Sequence, residues 1–185
     1  LSALRTPPAV FLCASAVGYY GNRGEEKVDE TAAAGTGFLA EVARAWEDAT
    51  APASAAGIRT VNLRFGVILT SRGGALKKML PPFKLGAGGP IGDGRQGFSW
   101  IALDDAIYAI HHLIRNDALR GPINVVSPDP LPQREFAAAL GRALHRPAVI
   151  PLPAPVVKAL FGQMGEELLL GGQYVEPAML KRSGF

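Results

Sequence analysis

The run Ala9-Val10-Phe11-Leu12-Cys13 is apolar at every position, as a strand covered on both faces should be. It passes at once into small and hydroxylated residues, Ala14-Ser15-Ala16-Val17-Gly18-Tyr19-Tyr20-Gly21. A polar loop from Gly21 to Gly35 leads to Thr36, which reads as the N-cap of a helix through about Ala49 with Phe38, Leu39, Val42, Ala43 and Trp46 as its apolar stripe. Pro52 and Gly57 mark the exit. Arg59 to Phe65 then alternates Val61, Leu63 and Phe65, the period of a second strand.

Downstream, Gly73 to Leu85 predicts a short helix broken at Pro81-Pro82, and Gly86 to Gly97 is too glycine-rich for a regular element. Phe98 to Leu103 reads as extended, followed by a helix capped by Asp104 or Asp105 and carrying Ile107, Ile110, His111 and Ile114. Gly121-Pro122 breaks it. Ile123 to Val126 predicts a strand, Gln133 to Leu144 a helix, Ala148 to Ile150 a brief strand and Pro153 to Phe161 a helix; small helices near Glu166 to Leu170 and Glu176 to Arg182 close the chain.

Alternating strands and helices predict an α/β fold around a parallel sheet, whose ligands bind at the C-terminal ends of the strands. Ser15, Tyr19 and Tyr20 follow such an end and are therefore the leading site candidates. The first strand, left as a sheet edge, would expose a flat row of unpaired backbone groups. Partner strands are therefore expected upstream of Leu1.

Composition narrows the class. A chain of 185 residues is long enough for one domain with a real core. Nineteen basic against sixteen acidic side chains leave only +3, with no like-charge block longer than Lys77-Lys78, so charge argues against nucleic acid as a partner despite a pI of 9.2. Cys13 is the only cysteine, which rules out intramolecular disulfides and points to a reducing, cytoplasmic setting. No run approaches the roughly 18 apolar residues of a membrane helix, and Leu1-Ser2-Ala3-Leu4-Arg5 lacks the design of a signal peptide. His111, His112 and His145 have no convergent spacing with Cys or carboxylates, so no metal is expected.

Gly92-Asp93-Gly94-Arg95-Gln96-Gly97 matches the dinucleotide fingerprint GxGxxG. That fingerprint works only between a strand and the helix it opens. Here it follows a Gly-Pro loop and runs into Phe98-Ser99-Trp100-Ile101, the context of a substrate-covering loop.

Longer strings carry a family resemblance: SAVGYYG (Ser15 to Gly21), AWE (Ala45 to Glu47), LRFGVIL (Leu63 to Leu69), KMLPPFKLGAGGPIGDGRQGFSWI (Lys78 to Ile101), PINVVSP (Pro122 to Pro128), ALHRPAVIPLPAP (Ala143 to Pro155) and LLLGGQYVEPAMLKRSGF (Leu168 to Phe185). Across almost its whole length the chain resembles the atypical extended short-chain dehydrogenase/reductases, often called NAD-dependent or nucleoside-diphosphate-sugar epimerase family proteins. The resemblance implies the C-terminal part of a doubly wound, Rossmann-like sheet plus a small α+β substrate-binding part. It implies that residues 1–72 and 103–127 complete the dinucleotide-binding domain and that 73–102 and 128–185 bind substrate. The half carrying the principal phosphate contacts would precede this chain.

The same resemblance implies NADP or NAD as cofactor and a small substrate, nucleotide sugars among the candidates, whose carbonyl or alcohol reacts. Ser15 takes the place of the serine that hydrogen-bonds the reacting oxygen. Where relatives carry Tyr-x-x-x-Lys on the next helix, this chain has Phe38 and Val42. A free tyrosine with pKa near 10 is only about a thousandth ionised at pH 7, a deficit of about 4 kcal/mol that a nearby lysine normally offsets. Tyr19 or Tyr20 is then expected to serve as a neutral proton donor. Arg64, Gly66, Val67 and Ile68 are expected to line the nicotinamide side, and Gln96, Ser99 and Trp100 the substrate. Plainer roles stand beside these: Ser15 satisfying turn backbone, a tyrosine anchoring the loop, Arg64 pairing with Glu47 as scaffold, and Gln96, Ser99 and Trp100 packing a loop. The alternative function is an NAD(P)-binding sensor or interaction protein that has lost its chemistry.

Overall fold

The computed structural model describes residue 1 and residues 4–185. Ser2 and Ala3, within the N-terminal stretch read above, lie outside the described residues. Val10–Ala16 (β1), Arg59–Phe65 (β3) and Gly121–Val125 (β7) form a parallel sheet in the order β1-β3-β7. Phe38–Asp48 (α1) and Ala51–Ala55 (α2) connect β1 to β3, and Leu103–Arg115 (α4) precedes β7.

Strand alternation gives this sheet two unlike faces. Val61, Leu63, Ile123 and Val125 point to one side and form the main core with Ala106, Ala109 and Leu113 of α4. Thr60, Asn62, Arg64 and Asn124 alternate with them, are buried, and point toward α1. One face is therefore a hydrocarbon core and the other a polar layer, and the second holds the site.

The remaining strands are short. Past Gly66, β3 continues as Val67–Leu69 (β4), which pairs in parallel with Trp100–Ala102 (β6). Lys27–Val28 (β2) pairs with Tyr174–Val175 (β9), and Gly97–Phe98 (β5) with Leu131–Pro132 (β8). Gly74–Lys84 (α3), Gln133–Ala143 (α5), Ala154–Gly165 (α6), a π-helical turn Glu166–Leu170 and Ala178–Arg182 (α7) complete the chain.

Five expectations change. Thr36 does not cap α1, whose N-cap is Gly37 with no side-chain cap. The stripe read on α1 is rotated: Ala40 and Ala43 are buried, Glu47 turns inward, and Phe38 and Trp46 are 60% and 53% exposed. On α4 the inward residues are Ala106, Ala109 and Leu113, with Ile107 and Ile114 outside and Ala102, not an aspartate, at the N-cap. α3 runs unbroken through Pro81 and Pro82. The two carbonyls that lose a donor there belong to Lys77 and Lys78, both exposed residues where water substitutes. Ala148 to Ile150 is not a strand; Pro147 and Pro151 remove donors on either side, and a single bridge joins Ile91 to Leu152 instead.

Candidate active site

The parallel register places Ser15 beside Arg64 and Arg64 beside Asn124, a polar row across the three strands near their C-terminal ends. Glu47 descends onto this row from α1. Its carboxylate takes two bonds from Arg64, Nε to Oε1 at 2.8 Å and Nη2 to Oε2 at 2.7 Å, and a third from the Ser15 hydroxyl to Oε1 at 2.8 Å. Arg64 Nη1 donates to the Tyr20 hydroxyl at 3.0 Å; that hydroxyl donates to Asn124 Oδ1 at 2.7 Å, and Asn124 Nδ2 donates to the Glu176 carbonyl at 3.0 Å. Five side chains, from β1, the turn after it, α1, β3 and β7, thus form one continuous network.

Burial gives the network its strength and limits its chemistry. Tyr20 is 0% and Arg64 2% exposed. Desolvation works against the Arg64 charge, but the hydrogen bonds to Glu47 and the neighbouring Tyr20 oxygen outweigh it and push its pKa above the ordinary guanidinium value. Burial also pushes the Tyr20 phenol up, against the pull of Arg64 and Asn124. Tyr20 is a neutral phenol whose proton is held by Asn124. Ser15 in turn must give its only proton to a carboxylate, which can only accept.

Tyr19 differs. The Arg64 guanidinium carbon lies 3.5 Å from its ring centroid, and Tyr20 meets it edge-on at 5.4 Å. Its ring is thus fixed, while its hydroxyl makes no hydrogen bond among the described residues. It is the one phenol of this corner whose proton is uncommitted.

Gly66, Val67 and Ile68 leave the sheet immediately beyond Arg64. Gly66 is needed for close approach, since a Cβ there would stand 2.7 Å from the Ser99 carbonyl oxygen. Val67 N–H donates to that same oxygen at 2.8 Å, and Val67 to Leu69 stay half-buried. Ser99 itself is buried, donating to the Gln173 carbonyl at 2.7 Å and accepting from Val175 N–H at 3.0 Å. Trp100 pairs with Val67 across β4 and β6, its indole N–H buried without a partner among the described residues. Gln96 stands apart, donating to the Ile91 and Leu169 carbonyls at 3.0 and 2.7 Å, at a cleft of about 390 Å³ shared with Asn22, Asp93 and Lys158.

Asn124 and Glu30 were missed by the sequence reading. Glu30 Oε1 accepts from the backbone N–H of Asn124 and of Met179 at 3.1 and 3.2 Å, joining β7 to α7. Asn124 did leave a signal: a lone amide inside the apolar string Ile123-Asn124-Val125-Val126, where a buried polar group demands a partner. Glu30 left none. Among the described residues no group of three or more His, Cys, Asp or Glu converges as a metal site. No helix of the described residues is long and apolar enough to cross a membrane.

The sheet, its crossovers and the position of this corner define a mixed α/β protein with the Rossmann-like sheet of the epimerases and short-chain dehydrogenase/reductases. In particular, the chain is similar over 100% of its length to the human epimerase family protein SDR39U1, solved with NADPH, with a TM-score of 0.90, 35% identity and 62% of that chain covered. A nucleoside-diphosphate sugar epimerase from Corynebacterium glutamicum matches with a TM-score of 0.78 and 39% identity, over 99% of this chain and 35% of that one. In sequence, an epimerase family protein of Mycobacterium bovis is 46% identical over 177 residues, 96% of this chain and 59% of the relative. The chain thus spans about three-fifths of that relative's length. Residues 152–185 match a domain of unknown function (DUF1731).

Proposed function

We propose that this chain is the substrate-side portion of an NAD(P)-dependent oxidoreductase or epimerase-like enzyme that acts on a carbonyl or alcohol of a small molecule. NADPH in the human relative and the relatives' greater length support this reading. The glycine-rich string at Gly92 to Gly97 opens no helix and runs into β5, so it is not the phosphate cradle in this reading. Residues 1–72 and 103–127 would then complete the dinucleotide domain, and 73–102 and 128–185 the substrate side.

The half-buried wall of Val67, Ile68 and Leu69, at the C-terminal end of β3, fits the flat face of a nicotinamide ring. The nicotinamide, when bound, supplies or removes a hydride. Tyr19 gives a proton to the reacting oxygen as carbonyl becomes alcohol. Ser15, whose hydroxyl donates to Glu47, offers lone pairs that accept from a substrate hydroxyl. Arg64, Glu47, Tyr20 and Asn124 are the floor that fixes Ser15 and Tyr19.

The observation carrying this reading is that Tyr19, its ring fixed against the Arg64 guanidinium, keeps a hydroxyl with no hydrogen bond among the described residues. The full-length protein, offered NADPH or NADH with a panel of carbonyl substrates, should show turnover that Tyr19→Phe lowers by about 100-fold or more. Turnover unchanged in that variant removes Tyr19 from the reaction. A second reading is favoured by Phe38 and Val42, which bring neither phenol nor ammonium to the start of α1: an NAD(P)-binding sensor or interaction protein without chemistry. Saturable cofactor binding with no turnover on any substrate selects it.

A further inference from the structure

α1 begins without a local cap. Gly37 precedes it with no side chain to offer, and its first two amides are taken instead by Glu167, 129 and 128 residues away. Phe38 N–H donates to Oε1 at 3.3 Å and Leu39 N–H to Oε2 at 3.0 Å, while Gln163 donates to Oε1 at 2.8 Å. Backbone hydrogen bonding from Leu39, then the Gln163 bond, holds the Glu167 carboxyl below its usual range. The grip is on the solvent side, where it can be made and broken.

The segment that carries Glu167 is bent. Gly162 interrupts α6 at φ 56 and ψ −142, a conformation open to glycine and strained for any other residue. The π-helical turn Glu166–Leu170 follows, and Gly171 ends it. The inner side of the segment, at Lys158 and Leu170, forms one wall of the cleft whose other wall is Asn22, Asp93 and Gln96. Gln96 donates to the Leu169 carbonyl across it. The end of α1 that Glu167 grips is the end that packs on the tyrosine turn: a Cβ at Gly18 would touch Leu39 Cβ at 3.4 Å, and Gly35 N–H donates to the Tyr19 carbonyl at 2.9 Å.

We propose that residues 154–170 are a hinged lid over this cleft, bent at Gly162 and latched by the Glu167 carboxylate onto the first amides of α1. Opening the cleft and releasing the tyrosine turn are then a single event. The catalytic meaning of that coupling rests on the proposed function, but the lid itself does not.

Hydrogen exchange of the full-length protein, without cofactor or substrate, separates the two. Glu167→Ala should speed exchange about fivefold at Phe38 and Leu39, the scale of a lost helix cap, and equally across 158–170, while β1 and β3 stay protected. Gly162→Ala should loosen the same two α1 amides although nothing lies within 4 Å of a Cβ at that position. Glu167→Asp, which keeps the charge on a shorter arm, should fall between. Faster exchange confined to Phe38 and Leu39 in Glu167→Ala, or wild-type exchange at those amides in Gly162→Ala, overturns the lid. The predicted pattern in a protein without turnover leaves the lid standing and removes the proposed enzyme.

Discussion

Arg64 and Glu47 decide the chemistry of the corner at the scale of single residues. Their side chains are 3% and 11% exposed, so most of the water that would otherwise solvate them is gone, and the bidentate geometry has to compensate. Removing one partner strands the other. Glu47→Ala should cost about 3–5 kcal/mol in urea denaturation, because it leaves a buried guanidinium and the Ser15 hydroxyl without an acceptor; a loss below about 1 kcal/mol would mean that water already reaches the pair. Tyr20→Phe should cost about 1–3 kcal/mol by leaving Asn124 Oδ1 without its donor. The same tyrosine sets a pH limit. Its folded pKa is raised by burial, so above about pH 10 the unfolded chain loses a proton that the folded one keeps. Stability is therefore complete below about pH 10 and falls as pH rises through the folded value. Tyr20→Phe, measured by chemical denaturation at about pH 9 and about pH 11, should show a shallower decline than wild type.

Elements explain where the sequence was readable. Long apolar runs and apolar alternation located β1, β3 and β7 to within three residues, because a covered strand has few ways to be polar. The helices were found, but their faces only in part: Ala43 and Ile110 turn inward as expected. On both α1 and α4 large apolar side chains such as Phe38, Trp46, Ile107 and Ile114 face outward, while alanines at Ala40 and Ala43, and at Ala106 and Ala109, lie against the sheet. Small residues bring a helix close, and on α1 that proximity is what lets Glu47 reach Arg64. No period of hydrophobicity encodes a buried ion pair. The site was legible in the same uneven way: SAVGYYG and LRFGVIL marked the rim, but which tyrosine keeps a free proton depended on a 104-residue separation between Tyr20 and Asn124. Ala43→Leu tests the close approach: overpacking should cost about 1–3 kcal/mol, whereas Ala45→Leu on the exposed side should be near neutral. Equal costs would show that α1 is not seated by its alanines.

At the scale of the molecule, a hydrocarbon layer beneath α4 holds the sheet while a polar layer beneath α1 arms its C-terminal rim. The short pairs β4–β6 and β2–β9 join that rim through Ser99, whose carbonyl accepts from Val67 N–H and whose hydroxyl accepts from Val175 N–H. The central claim is that the backbone just beyond Arg64 is the wall on which a nicotinamide rests. A fluorescence titration of the full-length protein with NADPH tests it most directly, run on the wild type and on Gly66→Ala, whose added Cβ must push β4 away from Ser99. The account predicts saturable binding by the wild type and at least about tenfold weaker binding by a still-folded Gly66→Ala, the effect of about 1.4 kcal/mol. Saturable binding that Gly66→Ala leaves untouched, or none in the wild type, would contradict it.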